Sequence, residues 1–246
     1  LGAPFSIIQE LSSSYILEDE DIPYLITERE RNTSKFDYGR VIVVAGSNNF
    51  PGAAALATNA AVKSGAGLVE LISPTLHSAI LPEIIYHKAT VNYDGFMTMD
   101  NLDLTLERLG KANTLVIGPG IGNSPDVLEF ATEIINNAPP FINVVIDADA
   151  LRIVNNLNYR SNKIVMTPHI IEFSRMFDLP MIDVQRRSFD IVKSKAKELN
   201  SVILLKNVPS IITDGSYSFL NIAGNPGMAT GGSGDVLSGI ICSLMG

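Results

Sequence analysis

Short β-branched runs alternate with helical patterns along most of this chain, and that alternation gives the first reading of its fold. Val41-Ile42-Val43-Val44-Ala45, bounded by glycines, predicts a buried parallel strand, because strands covered on both faces read as continuous apolar runs. An alanine-rich stretch from Ala53 to Ser64, stopped by Gly65, predicts a helix that sits close on a sheet. Leu68-Val69-Glu70-Leu71-Ile72 completes a strand–helix–strand unit, which implies parallel pairing with a right-handed crossover. The rhythm repeats with strand Thr114-Leu115-Val116-Ile117, a helical pattern to Asn137, and strand Val144-Val145-Ile146-Asp147. Lys163-Ile164-Val165-Met166 precedes a short helix through Phe177, and residues Asp183 to Leu199 carry charged and apolar positions at helical spacing. Val202 to Lys206 and Ser210 to Thr213 read as strands, with Asp214-Gly215 as a hairpin turn before Tyr217-Ser218-Phe219.

Residues 1–38 show little sustained period. Ser12-Ser13-Ser14 and Glu18-Asp19-Glu20-Asp21 read as solvated surface within a lead-in that wraps a core built later. No linker-like stretch or internal repeat divides the 246 residues, so residues 1–246 read as one domain. The expected architecture is α/β, a three-layer α/β/α sandwich around a mainly parallel central sheet. Ligands of such sheets bind at the carboxyl ends of strands. The stretches at Gly46, Gly118, Asp147, Thr167, Lys206 and Gly224 all follow strands, so their loops are expected to converge on one cleft.

Composition narrows the function classes. A hydrophobic fraction of 46% with 18% charged residues is that of an ordinary globular protein. The single Cys242 excludes a disulfide framework within the chain, and three His with one Cys give no zinc-ligand spacing. Net charge is −8, from 18 Lys and Arg against 26 Asp and Glu, which argues against a sequence-independent nucleic-acid binder. A small anion held by backbone N–H groups and a few placed cations is compatible with that balance. No apolar run reaches the length of a membrane span and no signal sequence leads the chain, so a cytoplasmic location is expected. Leu1 in place of an initiator Met, and an end at Gly246 in mid-helix, lead to the expectation that the chain is a trimmed segment of something longer.

The densest chemistry lies in Gly224-Asn225-Pro226-Gly227-Met228-Ala229-Thr230-Gly231-Gly232-Ser233-Gly234-Asp235, which runs straight into Val236-Leu237-Ser238-Gly239-Ile240-Ile241. A glycine loop opening into a helix presents free backbone N–H groups at the positive end of the helix dipole, which suits a phosphate. Asp235 is repelled by such an anion, so it reads as a base that takes a proton from a hydroxyl attacking the phosphate, with a first-turn helix cap as the alternative. Gly118-Pro119-Gly120-Ile121-Gly122 is not a dinucleotide fingerprint, because Asn123 stands where the last glycine is needed; a tight turn explains it as well as a ligand does. Asp147 and Asp149 follow a strand and read as loop organisers, metal helpers or simple turn formers. His169, on the loop Thr167-Pro168-His169 with Glu172 three residues on, reads as a functional imidazole, and Lys206 as a phosphate cation or a snorkelling surface lysine. His77 and His87 read as surface or packing residues.

Taken in order, these pieces closely resemble the ADP- or ATP-dependent NAD(P)H-hydrate dehydratases of the ribokinase-like superfamily. The matching runs are Gly46-Ser47 to Pro51-Gly52-Ala53-Ala54, Ser64-Gly65-Ala66-Gly67-Leu68-Val69, Ile117-Gly118-Pro119-Gly120 and Ile146-Asp147-Ala148-Asp149-Ala150-Leu151. Thr167-Pro168-His169 with Glu172, Leu204-Leu205-Lys206, and Gly224-Asn225 through Gly231-Gly232-Ser233-Gly234-Asp235 complete the set. The resemblance covers the chain from residue 35 onward and implies a lyase of metabolite repair. Such an enzyme removes water from the S epimer of hydrated NADH or NADPH by phosphorylating the ring hydroxyl and eliminating phosphate. It implies Asp235 as the base, with Gly232, Ser233 and Gly234 around the transferring phosphoryl group. It further implies Ala53, Gly120, His169 and Asp235 on the hydrated dinucleotide, and Lys206, Asn207, Val208, Pro209, Ser210 and Gly234 on ADP or ATP, with Mg²⁺ assisting. A homo-oligomer of tetramer size and fusion to an NAD(P)H-hydrate epimerase domain are also implied.

Three positions depart from the family pattern. Ile170-Ile171 replace Pro-Gly after the histidine, Asn207 replaces a glycine after the lysine, and Ser233 replaces Thr with its hydroxyl kept. The rival readings are a vitamin kinase of the same superfamily, which would release a stable phosphorylated product, and a non-catalytic module that senses ADP or NAD(P)H.

Overall fold

A computed structural model describes residues 13–26, 28–158 and 161–246. The apolar runs form a ten-stranded sheet among the described residues. Its strands are β1 (Ser14–Leu17), β2 (Arg40–Val44), β3 (Leu68–Ser73), β4 (Ile85–Lys88) and β5 (Thr114–Ile117). They continue with β6 (Asn143–Ile146), β7 (Ile164–Met166), β8 (Val202–Leu205), β9 (Ser210–Thr213) and β10 (Ser218–Asn221). The spatial order is β1-β10-β9-β8-β7-β6-β5-β2-β3-β4. Only β9 runs against the rest, pairing antiparallel with both β8 and β10.

Alternation within the buried strands sends side chains into two separate cores. Ile42 and Val44 of β2 join Leu109, Phe130, Ile134 and Phe173 on one face. That face is covered by α2 (Leu102–Leu109), α3 (Pro125–Asn137), α4 (Ile170–Met176), α5 (Met181–Arg186) and α6 (Ser188–Leu199). Val41 and Val43 point the other way, against Ala54, Ala57 and Ala61 of α1 (Pro51–Lys63) and Cys242 of α7 (Ser233–Leu244). The result is a three-layer α/β/α sandwich.

Small residues bring α1 and α7 together. A Cβ at Gly239 would lie 2.1 Å from the Ala57 carbonyl oxygen, so glycine is what permits this approach. Burial pushes the Cys242 thiol up to about 12, which keeps it a packing group.

The connectivity places the site. The chain steps outward from β2 to β3 to β4, then returns to lay β5 on the other side of β2. Connections leave β2 and β5 in opposite directions, which opens a crevice at their carboxyl ends.

The structure also corrects several expectations. Ser14 begins an edge strand paired in parallel with β10, so part of the lead-in is sheet, while Ser12 lies outside the described residues. β4 and α2 were not foreseen: β4 is a four-residue, half-exposed edge strand without an apolar run, whereas α2 does repeat Leu102, Leu106 and Leu109 at helical spacing toward the core. The helical stretch before Leu199 is broken at Arg187 into α5 and α6. The acid-ended strand stops at Ile146, and Ala148–Asn156 is a 3₁₀ segment. His87 is no idle surface group: its Nε2 lies 2.6 Å from the fully buried Glu70, which also pairs with Arg40.

Candidate functional site

At the carboxyl edge of the sheet, the loops after β2, β5 and β6 are tied to one another, and those after β6, β7 and β8 are joined through Lys206. Gly46, left-handed at φ +81°, donates its N–H to the Pro119 carbonyl at 2.7 Å and so ties the β2 loop to the β5 loop. Gly120 is also left-handed, and a Cβ there would lie 2.8 Å from that of Ala53. Ala53 and Gly120 are therefore in contact at the first turn of α1, where both lack bulk that would close the crevice. The Gly122 N–H donates to Asp149 Oδ2 at 2.9 Å, which links the β5 loop to the segment after β6.

Lys206 and Asp147 form the polar centre. Asp147 is 1% exposed, and burial of a lone carboxylate at that depth is costly without partners. It has two: Lys206 Nζ at 2.9 Å from Oδ1, and the Ser238 hydroxyl, which donates to Oδ2 from α7. Lys206 faces the cleft. It lies 3.8 Å from Glu172, and its strand end bridges to His169. A Cβ at Gly234 would lie 3.4 Å from Lys206 Nζ and 3.8 Å from Asp147 Oδ2, so the start of α7 packs directly against this pair. A lysine held by one buried acid keeps donors available on its open side.

α7 begins as the glycine loop predicts. Gly232 is the N-cap at φ +87°, and no side chain caps the helix, so the cap alternative for Asp235 is not what the structure displays. Ser233, Gly234 and Asp235 form the first turn; the Ser233 N–H donates to the Thr230 carbonyl at 3.4 Å, while Gly234 and Asp235 precede the first bond of the helix, from the Val236 N–H to the Gly232 carbonyl at 3.0 Å. The Ser233 hydroxyl donates to the same Thr230 carbonyl at 3.0 Å. Asp235 is half-buried, and its carboxyl is pushed up to about 6. Burial is the main cause, repulsion from Asp147 and Asp149 adds to it, and attraction to Lys206 opposes it.

His169 stands at the far wall as the N-cap of α4. Its Nδ1 accepts the N–H groups of Ile171 and Glu172 at 3.2 Å, and Glu172 returns a bond to the His169 N–H at 2.8 Å. Ile170-Ile171 thus open the helix directly. This reciprocal box fixes the tautomer, because an accepting Nδ1 places the imidazole proton on Nε2. Nε2 lies 3.5 Å from Glu172.

Asn207, Val208, Pro209 and Ser210 form the turn from β8 to β9, closed by the Ser210 hydroxyl donating to the Asn207 carbonyl at 2.9 Å. Val208 is 90% exposed at its tip, beside Lys206. The structure brings Lys206, His169, Gly234 and Asp235 together around Asp147 and Glu172, and sets Ala53 against Gly120. Ser238, and Leu56 packed under Gly232, were not singled out in advance. Ser238 carries a weak signal, a hydroxyl one helical turn beyond Gly234 on the face that meets the sheet.

Comparison with known proteins gives the geometry a context. A family model described as NAD(P)H-hydrate dehydratase matches residues 41–246. A bifunctional NAD(P)H-hydrate repair enzyme of Moorella thermoacetica is 37% identical over 231 residues, covering 90% of this chain and 43% of the relative. An ADP-dependent (S)-NAD(P)H-hydrate dehydratase of Listeria monocytogenes is 32% identical over 222 residues, covering 89% of this chain and 76% of the relative. Among solved structures, a ribokinase-like superfamily protein of Enterococcus faecalis superposes with a TM-score of 0.82 at 27% identity, over 95% of this chain and 80% of that one. An ADP/ATP-dependent NAD(P)H-hydrate dehydratase of Bacillus subtilis, co-crystallized with ATP/Mg²⁺, gives 0.74 at 28% identity, over 94% of this chain and 80% of that one. The chain spans less than half the length of the bifunctional relatives. No helix among the described residues is long and apolar enough to cross a membrane.

Proposed function

We propose that this chain, which belongs to the NAD(P)H-hydrate dehydratase family, restores reduced nicotinamide cofactors by nucleotide-dependent dehydration of the S epimer of hydrated NADH or NADPH. The observation that carries the reading is Asp235, a half-buried carboxylate pushed up to about 6 at a glycine-built helix start beside Lys206. A general base works best when its pKa lies near the working pH. A sensor gains nothing from a carboxylate beside a bound phosphate, since the two repel.

In this reading Asp235 takes the proton from the ring hydroxyl as that oxygen attacks the terminal phosphoryl group of ADP or ATP. The N–H groups of Gly231 to Gly234 meet the charge that spreads over the phosphoryl oxygens, aided by the positive end of α7. Lys206 supplies a fixed cation, and the turn from Asn207 to Ser210 flanks the nucleotide. Ala53 and Gly120 leave room for the hydrated ring, with His169 on its other side. Phosphorylation turns hydroxide, a poor leaving group, into phosphate. When the C–O bond breaks, the ring nitrogen's electron pair and loss of a ring proton restore the double bond. The products are NADH or NADPH, phosphate, and the nucleotide shortened by one phosphate.

Among the described residues no group of three His, Cys, Asp or Glu is arranged to hold a metal ion. Asp147, Asp149 and Asp235 lie close enough to interact electrostatically, which fits an ion carried mainly by nucleotide phosphates with one or two carboxylates in support. Mg²⁺ in that place offsets phosphate charge. A joined epimerase domain extends the proposal on the bifunctional relatives, a homo-oligomer extends it on resemblance alone, and a cytoplasmic location completes it.

The test follows the reduced-nicotinamide absorbance band with hydrated NADH or NADPH, Mg²⁺, and ADP or ATP. A rise that needs nucleotide is expected, and the nucleotide that supports it identifies the donor. Tight nucleotide binding with a stable phosphorylated product would indicate a kinase instead.

A further inference from the structure

A cavity of about 290 Å³ opens beside His169, between the 3₁₀ segment Ala148–Asn156 and α4. Its polar wall is Asp149, Arg152, Asn155, His169, Glu172 and Arg175. The two acids are already engaged, Asp149 with the Gly122 N–H and Glu172 with the His169 N–H. Asn155 is engaged too, since its side-chain amide donates to the Met176 carbonyl at 2.6 Å. The two guanidinium groups are not: among the described residues neither Arg152 nor Arg175 has a hydrogen bond or an ion pair. Two free forks on one cavity are unusual in a chain of net charge −8, where acids outnumber cations and surface arginines have many carboxylates to choose from. Planar guanidinium forks match phosphate oxygens two at a time.

We propose that this cavity is a phosphate subsite for the hydrated dinucleotide, with Arg152 and Arg175 as its specificity-determining residues; the assignment rests on the dehydratase reading. His169 stands at the shared boundary, so a dinucleotide whose ring lies between His169 and Asp235 carries its phosphates outward into the cavity. The subsite lies across Glu172 from Lys206, which separates the dinucleotide's phosphates from those of the nucleotide donor. The substrate offers two sources of the same chemistry, the pyrophosphate common to both hydrates and the 2′-phosphate of the NADPH form alone.

The experiment measures KM for hydrated NADH, hydrated NADPH and nucleotide in Arg152→Gln, Arg175→Gln and Arg175→Lys. Calorimetric binding of each hydrate without nucleotide accompanies it. Both arginines are exposed, so the variants fold. Loss of a charge-assisted contact is expected to raise the hydrate KM and Kd roughly tenfold, with the nucleotide KM moving less than about twofold. Arg175→Lys is expected to recover part of the loss, since lysine returns the charge without the fork. A rise for both hydrates assigns the pyrophosphate, and a rise for hydrated NADPH alone assigns the 2′-phosphate. Unchanged KM and Kd in both Gln variants would overturn the subsite. Arginine-dependent binding of a hydrate without turnover on ADP or ATP would keep the subsite and reject the dehydratase reading. Failure of the wild-type chain to bind either hydrate would overturn both.

Discussion

Replacing Asp235 by Asn is expected to make the protein more stable while it destroys turnover, and the pH dependence of that gain tests the cause. Burial, Asp147 and Asp149 raise the Asp235 carboxyl from 3.8 to about 6. At full burial this shift corresponds to about 3 kcal/mol of unfavourable charging. Solvent on the open side of a half-buried group reduces the expected figure to about 1 kcal/mol. The sign follows from proton binding: the folded state holds the proton more tightly than the unfolded chain. Wild-type stability therefore falls as pH rises from about 4 to about 6, and the deficit is complete above that window. Asn carries no proton to lose. Urea unfolding of both proteins at pH 4 and pH 8 is the assay, with thermal midpoints alongside. The variant is expected to gain about 1 kcal/mol at pH 8, roughly 2–4 °C in Tm for a chain of this size, and almost nothing at pH 4. A variant less stable than wild type at pH 8, or a difference that ignores pH, would refute the electrostatic account of Asp235.

Three further outcomes are expected. Gly232→Ala forces a left-handed residue at φ +87° and drives a Cβ to 2.3 Å from Leu56, so it should cost about 1–3 kcal/mol in urea unfolding and lower kcat by displacing the start of α7. Lys206→Met leaves Asp147 buried without its cation, so nucleotide KM should rise at least tenfold and stability should drop by roughly 2–3 kcal/mol. Glu70→Gln unpairs Arg40 and His87 across β2, β3 and β4, and should cost roughly 2–3 kcal/mol in stability with nucleotide KM unchanged.

What the sequence made legible follows from how local each signal is. The β-branched runs of β2, β3, β5 and β6 are buried on both faces, so they stand out as continuous apolar stretches. β1 and β4 are half-exposed edges whose mixed composition resembles loop. At the site, Gly232, Gly234 and Asp235 were readable because a helix start needs local residue types. The Asp147–Lys206–Ser238 link was not, since its partners come from the ends of β6 and β8 and from α7. Spacing along the chain carries no record of such a convergence. The role of His87 within the packing was hidden for the same reason: its partner Glu70 lies on a neighbouring strand.

The measurement that bears most directly on the central claim is the pH profile of kcat/KM for the hydrated substrate from acid to neutral pH, taken with nucleotide well below its KM so that the limb belongs to the unliganded protein. With Asp235 as the base, activity should fall tenfold per pH unit below about 6, and Asp235→Asn should lack both the activity and the limb. A wild-type profile that stays flat through 6, or an Asn variant that retains the limb, would show that another group takes the proton.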